Sequence, residues 1–78
     1  MWVAVVFAKG FNNERAKFES NAEDAIELTD QVSTYLAETG EFMKLESHPS
    51  ETNWEFSTHT ITDRKQTGGV SVDWIGYA

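Results

Sequence analysis

Only one stretch of the chain has the period of an amphipathic helix, and strand-type stretches lie on both sides of it. Ser20 and Glu23 have the S-x-x-E spacing of a helix capping box. Gly40 follows the periodic stretch, and glycine is the residue most often found just after the end of a helix. The spacing therefore predicts one helix over residues 20–40. At about 100° per residue, its inward face holds Ala22, Ala25, Leu28, Thr29, Val32, Tyr35, Leu36 and Thr39, with Ile26 at the margin.

The rest of the chain consists of strand-type stretches separated by turn residues. Residues 2–8 are apolar at every position, which is typical of an interior strand that is covered on both faces. The five predicted strands cover residues 2–8, 15–18, 42–47, 54–62 and 70–77. Their order, strand, strand, helix, strand, strand, strand, predicts an α+β domain in which one helix packs on an antiparallel sheet of about five strands, in two layers.

The length and the residue types restrict the domain and its surroundings. Seventy-eight residues suffice for a single domain, 1–78, and the chain has no cysteine with which to form a disulfide or a thiolate metal site. The longest apolar run is far shorter than the roughly 20 residues of a membrane-spanning helix. We therefore expect a cytoplasmic protein that does not associate with membranes.

Acidic residues are concentrated in the middle of the chain. Nine of the thirteen acids lie between residues 19 and 51, where Lys44 is the only one of the six bases. A surface of this kind repels nucleic-acid phosphates and anionic lipids, and it attracts basic protein surfaces at long range. We therefore expect the partner to be a larger protein with a basic surface, and we expect no direct binding of nucleic acid.

The outer face of the predicted helix carries much of this charge. It holds Glu23, Glu27, Asp30, Thr34 and Glu38, and no lysine or arginine lies between Ser20 and Gly40. Acids favour the first turn of a helix but are unfavourable near its C-terminal end. The stripe is interpreted either as a solvated face or as a partner-binding surface made by Glu23, Glu27, Asp30 and Glu38.

The two faces of the sheet follow from the register of the last hairpin. If the loop at 63–69 is symmetric, Thr62 pairs with Val70. One face then holds Trp54, Phe56, Thr58, Thr60, Val70, Val72 and Trp74, and it is predicted to pack on the helix. The other face, which is predicted to stay open, includes Met43, Leu45, His59, Ile61, Asp73, Ile75 and Tyr77. An open apolar face indicates a partner or dimer interface, although scattered surface hydrophobics covered by loops are the alternative.

No residue pattern indicates catalysis or a cofactor. The predicted register places His59 opposite Asp73, but a flat sheet has neither a pocket nor an oxyanion donor. His48 and His59 are predicted to lie too far apart for one metal ion, and Gly68 and Gly69 are interpreted as hairpin residues rather than a phosphate loop. We therefore predict a protein that is not an enzyme and that holds neither a metal nor a cofactor.

Together these features predict a small acidic protein-binding module. In size, charge and architecture it resembles the acidic single-domain inhibitors made by phages and mobile elements, such as anti-CRISPR proteins and DNA mimics. The resemblance implies an inhibitor of a nucleic-acid-binding partner, in the host cytoplasm if a phage encodes it. No family motif matches, so no functional residue is transferred. The alternative is a homodimeric regulatory or structural protein, antitoxin-like or a scaffold, that pairs through the open sheet face.

Overall fold

One helix packs on one face of a five-stranded antiparallel sheet. The computed structural model describes residues 1–10, 13–46 and 52–76. The elements are β1 (Trp2–Ala8), β2 (Glu14–Ser20), α1 (Ile26–Glu38), β3 (Glu41–Leu45), β4 (Asn53–Thr60) and β5 (Gln66–Trp74). The predicted α+β class and element order are confirmed, and β1 is an interior strand as predicted.

The sheet curls around the helix. Its strand order is β2-β1-β5-β4-β3, so β2 and β3 are the two edges. Helix α1 nevertheless contacts both edge strands as well as β1. Arg15 on β2 also forms an ion pair with Glu41 on β3. The two edges therefore approach one another on the helix side of the sheet.

The core forms where the inward face of α1 meets alternate residues of the interior strands. It consists of Trp2, Ala4, Val6, Ala25, Leu28, Val32, Leu36, Val70 and Val72. The strand residues lie two apart and the helix residues three or four apart, which are the periods of the two elements. The predicted inward positions Ala25, Leu28, Val32 and Leu36 are confirmed as buried.

Three tryptophans cluster at one end of this core. The ring centroid of Trp2 lies 5.4 Å from that of Trp74 and 6.3 Å from that of Trp54. Trp2 and Trp74 are paired across β1 and β5, so their rings stand on the same face of the sheet. The indole nitrogen of Trp2 donates a hydrogen bond to the carbonyl oxygen of Glu23, 3.1 Å away.

The helix begins six residues later than the sequence predicts. Ser20 belongs to β2, where it pairs with Trp2, and residues 22–25 form a bend. The predicted capping box of Ser20 and Glu23 is therefore wrong. Asp24 instead accepts a hydrogen bond from the backbone N–H of Ile26. The hydrogen bond from the Trp2 indole satisfies the carbonyl group of Glu23 in this bend. This tertiary contact outweighs the local preference of the S-x-x-E spacing for a helix start.

The predicted register of the last hairpin is also wrong, although its assignment of faces is confirmed. Val70 pairs with Phe56 rather than with Thr62, because the loop is shorter and β5 begins at Gln66. The partner changes by six positions, which is an even number, so the same side chains face the helix. His59 consequently pairs with Gln66.

The two glycines that were predicted to punctuate the hairpin lie inside β5. Gly68 is buried next to β1, and a Cβ atom on it would lie 1.9 Å from the carbonyl oxygen of Phe7. No side chain fits at that distance. Glycine is thus required here because β1 passes so close, beside a bulge where Thr58 pairs with Gly68 and the next pair skips Thr67.

Met43 and Leu45 lie on the helix side of the sheet, not on the open face as predicted. Met43 pairs with Thr58 and Leu45 with Phe56. Met43 packs against the core, whereas Leu45 is 47% exposed near the end of the edge strand. Placing them on the open face corresponds to a register of β3 that is shifted by one residue, and a slip of one residue moves every side chain to the other face.

Candidate functional site

An open groove of about 550 Å³ lies between β2 and α1. It is lined by Phe18, Glu27, Asp30, Gln31, Thr34, Tyr35 and Glu38. Six of these seven residues are on the helix. Successive members are three or four residues apart or adjacent, so all six lie on one side of the helix. We call this feature the acidic groove.

Two aromatic rings form the floor of the acidic groove. Phe18 of β2 and Tyr35 of α1 are half-buried, and their ring centroids lie 5.8 Å apart in an edge-to-face arrangement. Both pack against the core from the side. The guanidinium of Arg15 lies over the Tyr35 ring, 5.7 Å from its centroid. The floor therefore consists of two aromatic rings, one of them covered by Arg15, and the packing of the helix on the sheet holds them in place.

Three carboxylates form the rim. Glu27, Asp30 and Glu38 are all exposed. Within the described residues, the ion pairs are Arg15 with Glu41, Lys17 with Glu19 and Lys65 with Asp63. None of the rim carboxylates therefore has a basic partner in the part of the chain that the structure describes. The structure brings these three predicted residues together around an apolar floor.

The fourth predicted member of the acidic face, Glu23, does not belong to the groove. It lies in the bend before α1 and is exposed, and it does not line the groove. The floor residues were not predicted as part of a site, since Phe18 was assigned to a strand and Tyr35 to the buried helix face. The period of the helix places Gln31 four residues after Glu27, and that spacing could have identified it.

Glu41 has an environment opposite to that of the rim. Its side chain is only 7% exposed and accepts two hydrogen bonds from Arg15, with distances of 2.9 Å from Nη1 to Oε1 and 2.7 Å from Nη2 to Oε2. These bonds, with others from Thr39 and Thr67, lower the pKa of Glu41 from its usual 4.5 to about 2, although burial opposes the change. The charge on Glu41 is therefore used within the fold.

The residues predicted for an open-face interface do not form one patch. Met43 and Leu45 are on the helix side, as described above. Ile61 lies in the turn after β4 and Ile75 follows β5, where they are 55% and 48% exposed. Of the predicted residues that the structure describes, His59 and Asp73 are the two that lie in strands on the open face. Tyr77 lies outside the described residues.

His59 and Asp73 are separate on that open face. His59 stacks on Phe42, with ring centroids 5.6 Å apart, and its Nε2 lies 2.7 Å from the hydroxyl of Ser57. Asp73 accepts hydrogen bonds from Asn53 at 2.6 Å and from Ser71 at 3.0 Å. The predicted pairing of His59 with Asp73 is wrong because the hairpin register differs, so the carboxylate does not orient the imidazole.

A second, smaller pocket of about 380 Å³ lies on the open face. It is lined by Phe7, Glu46, Glu55, Phe56, Ser57, Gln66, Val70 and Ser71. Ser57 is 3% exposed, which leaves its hydroxyl poorly placed to attack a substrate. Among the described residues, no three side chains of the types that ligate metals come together. His48, the other imidazole considered for a metal site, lies outside those residues.

Comparison of the chain with protein-family models, with curated proteins and with solved structures found no match. Over the described residues, no helix is long and apolar enough to cross a membrane. The acidic groove is therefore interpreted from its own geometry.

Proposed function

We propose that this protein is a non-enzymatic protein-binding module whose acidic groove binds a basic surface on a larger protein. The observation that supports the proposal is the arrangement, around an aromatic floor, of three carboxylates that have no basic partner among the described residues. Charge that has no partner within the described chain remains available to a partner outside it. The formal charge of −7 extends the attraction beyond the contact itself.

The charges alone are too weak to account for a specific complex. An exposed ion pair contributes about 0.2–1 kcal/mol, so three pairs contribute at most about 3 kcal/mol. A dissociation constant of 1 mM already corresponds to about 4.1 kcal/mol. Burial of the parts of Phe18 and Tyr35 that remain exposed has to supply the rest. Both side chains are already mostly buried, so each adds only a fraction of the about 1.5–3 kcal/mol that full burial of an exposed aromatic side chain gives. The floor and the rim therefore act together.

The partner class that we propose is a nucleic-acid-binding protein. Such proteins carry clustered lysine and arginine residues on the face that contacts phosphates. An acidic module seated on that face excludes nucleic acid by occupying the site and by repelling its phosphates. The module then acts as an inhibitor, as the resemblance in size, charge and architecture to phage and mobile-element inhibitors implies.

The proposal is tested by capture on the immobilised protein at low salt, followed by mass spectrometry and by binding assays with the purified partner. The groove variant replaces Glu27→Gln, Asp30→Asn and Glu38→Gln. The control variant replaces Glu14→Gln, Glu46→Gln and Glu55→Gln, three exposed acids outside the groove, and it changes the net charge by the same amount.

We expect the groove variant to lose at least tenfold in affinity for the purified partner and the control variant to lose less than threefold. Addition of nucleic acid should displace the wild-type protein from the partner. Equal losses in the two variants would show that the groove is not the binding surface. A partner with no basic surface and no dependence on salt would contradict the proposal as a whole.

We favour the alternative homodimer less, because those of its expected interface residues that the structure describes are dispersed. Light scattering at micromolar concentration separates the two states. We expect a monomer whose mass does not change between low and physiological salt.

A further inference from the structure

Among the ion pairs of the described residues, the one made by an arginine differs from the two made by lysines. Arg15 forms a two-point ion pair with Glu41 at 2.7–2.9 Å while its guanidinium lies over the Tyr35 ring. The two lysine ion pairs are single contacts of 3.8 and 3.9 Å between exposed side chains. A guanidinium is planar, stacks on aromatic rings and matches the two oxygens of a carboxylate, whereas an ammonium is compact and strongly hydrated.

The acidic groove offers a similar combination, the Phe18 ring beside exposed carboxylates, to a side chain from outside. Tyr35 itself is part of the floor, with Phe18 beside it. Along the helix axis, Asp30 precedes Tyr35 by about 7.5 Å and Glu38 follows it by about 4.5 Å, at 1.5 Å per residue. An aromatic surface therefore lies between carboxylates, which is the environment that a guanidinium prefers.

The size of the groove sets the length of its ligand. From Glu27 to Glu38 the helix rises about 16 Å, which an extended chain covers in about five residues at 3.3 Å each. The volume of about 550 Å³ falls within the range of pockets that hold ligands larger than a single side chain. The groove thus accommodates a short segment rather than one side chain.

We propose that the acidic groove binds an arginine-rich segment of a partner protein and discriminates it from a lysine-rich one. Guanidinium groups pack over Phe18, beside the Tyr35 ring that Arg15 already covers, and pair with the rim carboxylates Glu27, Asp30 and Glu38. This inference rests on the proposed function and adds the chemical identity of the basic side chains. Lysine satisfies the rim equally well but gains less from the floor, because its ammonium does not stack.

The test is a residue-resolved NMR titration of the full chain with two capped pentapeptides, one of arginine and one of lysine, at low salt. Both carry the same charge. We expect the amide signals of Phe18 and of residues 27–38 to shift in both titrations. The arginine peptide should bind about twofold more tightly, the lower end of the gain expected from stacking on an exposed ring, because Phe18 is only partly exposed.

A pair of leucine variants separates stacking from apolar bulk. Phe18→Leu keeps an apolar floor but removes one ring, and it should reduce the ratio of the two affinities to near one. Phe42→Leu removes a ring that lies on the open face, stacked on His59, and it should leave the ratio unchanged. The wild-type ratio stands by itself if the Phe18 variant fails to fold.

The outcomes distinguish this inference from the proposed function. If both peptides bind in the groove with equal affinity, selection of arginine is wrong and the acidic protein-binding module stands. If neither peptide shifts the groove signals, or if both shift residues around Glu46 and Glu55 instead, the proposed function is wrong as well.

Discussion

Glu41 and the rim carboxylates of the acidic groove differ in their exposure to solvent and in their ionic partners. Glu41 is 7% exposed and is held by Arg15, whereas Glu27, Asp30 and Glu38 are exposed and have no basic partner among the described residues. The same chemical group has a counter-charge within the fold in the first case and none among the described residues in the second. The negative charges of the chain are therefore of two kinds: the charge of Glu41 is paired within the fold, and those of the rim carboxylates are exposed to solvent.

The difference follows from the environments. A buried carboxylate without a counter-charge destabilises a protein by several kcal/mol, so Glu41 requires Arg15. An exposed carboxylate keeps its hydration and costs only a few tenths of a kcal/mol near like charges. Each of the following predictions tests this division.

The largest expected effect comes from removing the partner of Glu41. Arg15→Met should lower the free energy of unfolding by about 3 kcal/mol, at the low end for a buried pair because Arg15 is 23% exposed. Urea denaturation measures the loss. Lys17→Met, which removes the exposed pair with Glu19, is the control and should cost less than about 1 kcal/mol. Similar losses in the two variants would abolish the distinction.

Acid should remove the same stabilisation in the wild-type protein. The pKa of Glu41 is about 2 in the folded state against a usual 4.5, so the unfolded chain takes up the proton first as the pH falls. The contribution is fully present above about pH 4.5 and disappears toward pH 2, and it amounts to about 3 kcal/mol. Urea midpoints measured across this range should fall more steeply for the wild type than for Glu41→Gln. Parallel curves would show that Glu41 titrates normally.

Neutralising the rim should have a small effect of the opposite sign. The groove variant, Glu27→Gln with Asp30→Asn and Glu38→Gln, removes like-charge repulsion and the negative charge of Glu38 near the helix C-terminus. These gains outweigh the loss of the favourable charge of Glu27 in the first turn of α1. We expect it to gain about 0.5–1 kcal/mol, or about 2–8 °C in Tm. The control variant at Glu14, Glu46 and Glu55 should change by less than about 0.5 kcal/mol. A clear loss of stability would mean that the rim is structural.

Salt should have the smallest effect. Between about 0.01 and 0.15 M, the distance over which charges interact falls from about 30 to about 8 Å. Repulsion along the rim is then screened, and the wild type should gain a few tenths of a kcal/mol. The groove variant should gain less. An equal response of the two proteins would place the repulsion elsewhere on the surface.

The fold class was predictable because it depends on period, which is a local property. Leu28, Val32 and Leu36 recur at helical spacing, and the apolar run at 2–8 predicted an interior strand. Boundaries and register depend on contacts between distant residues. The bond from Trp2 to Glu23 and the short loop before Gln66 have no signature in their neighbouring sequence.

The site was predictable to a similar extent. The rim carboxylates follow from helical spacing and from the lack of nearby bases. The aromatic floor does not, because Phe18 reaches Tyr35 only through the packing of β2 against α1. Met43 shows the same limit, since a register error of one residue was enough to place it on the wrong face.

The fluorescence of the three clustered tryptophans allows unfolding to be measured separately from binding in the groove. Trp2, Trp54 and Trp74 report on the packing of the core, and none of them lines the acidic groove. Their fluorescence therefore follows unfolding and is insensitive to direct contact with a ligand in the groove. The variant Gln31→Trp would add a fluorescent side chain that lines the groove. The wild-type protein would then report on folding and the variant on both folding and binding, in the same instrument.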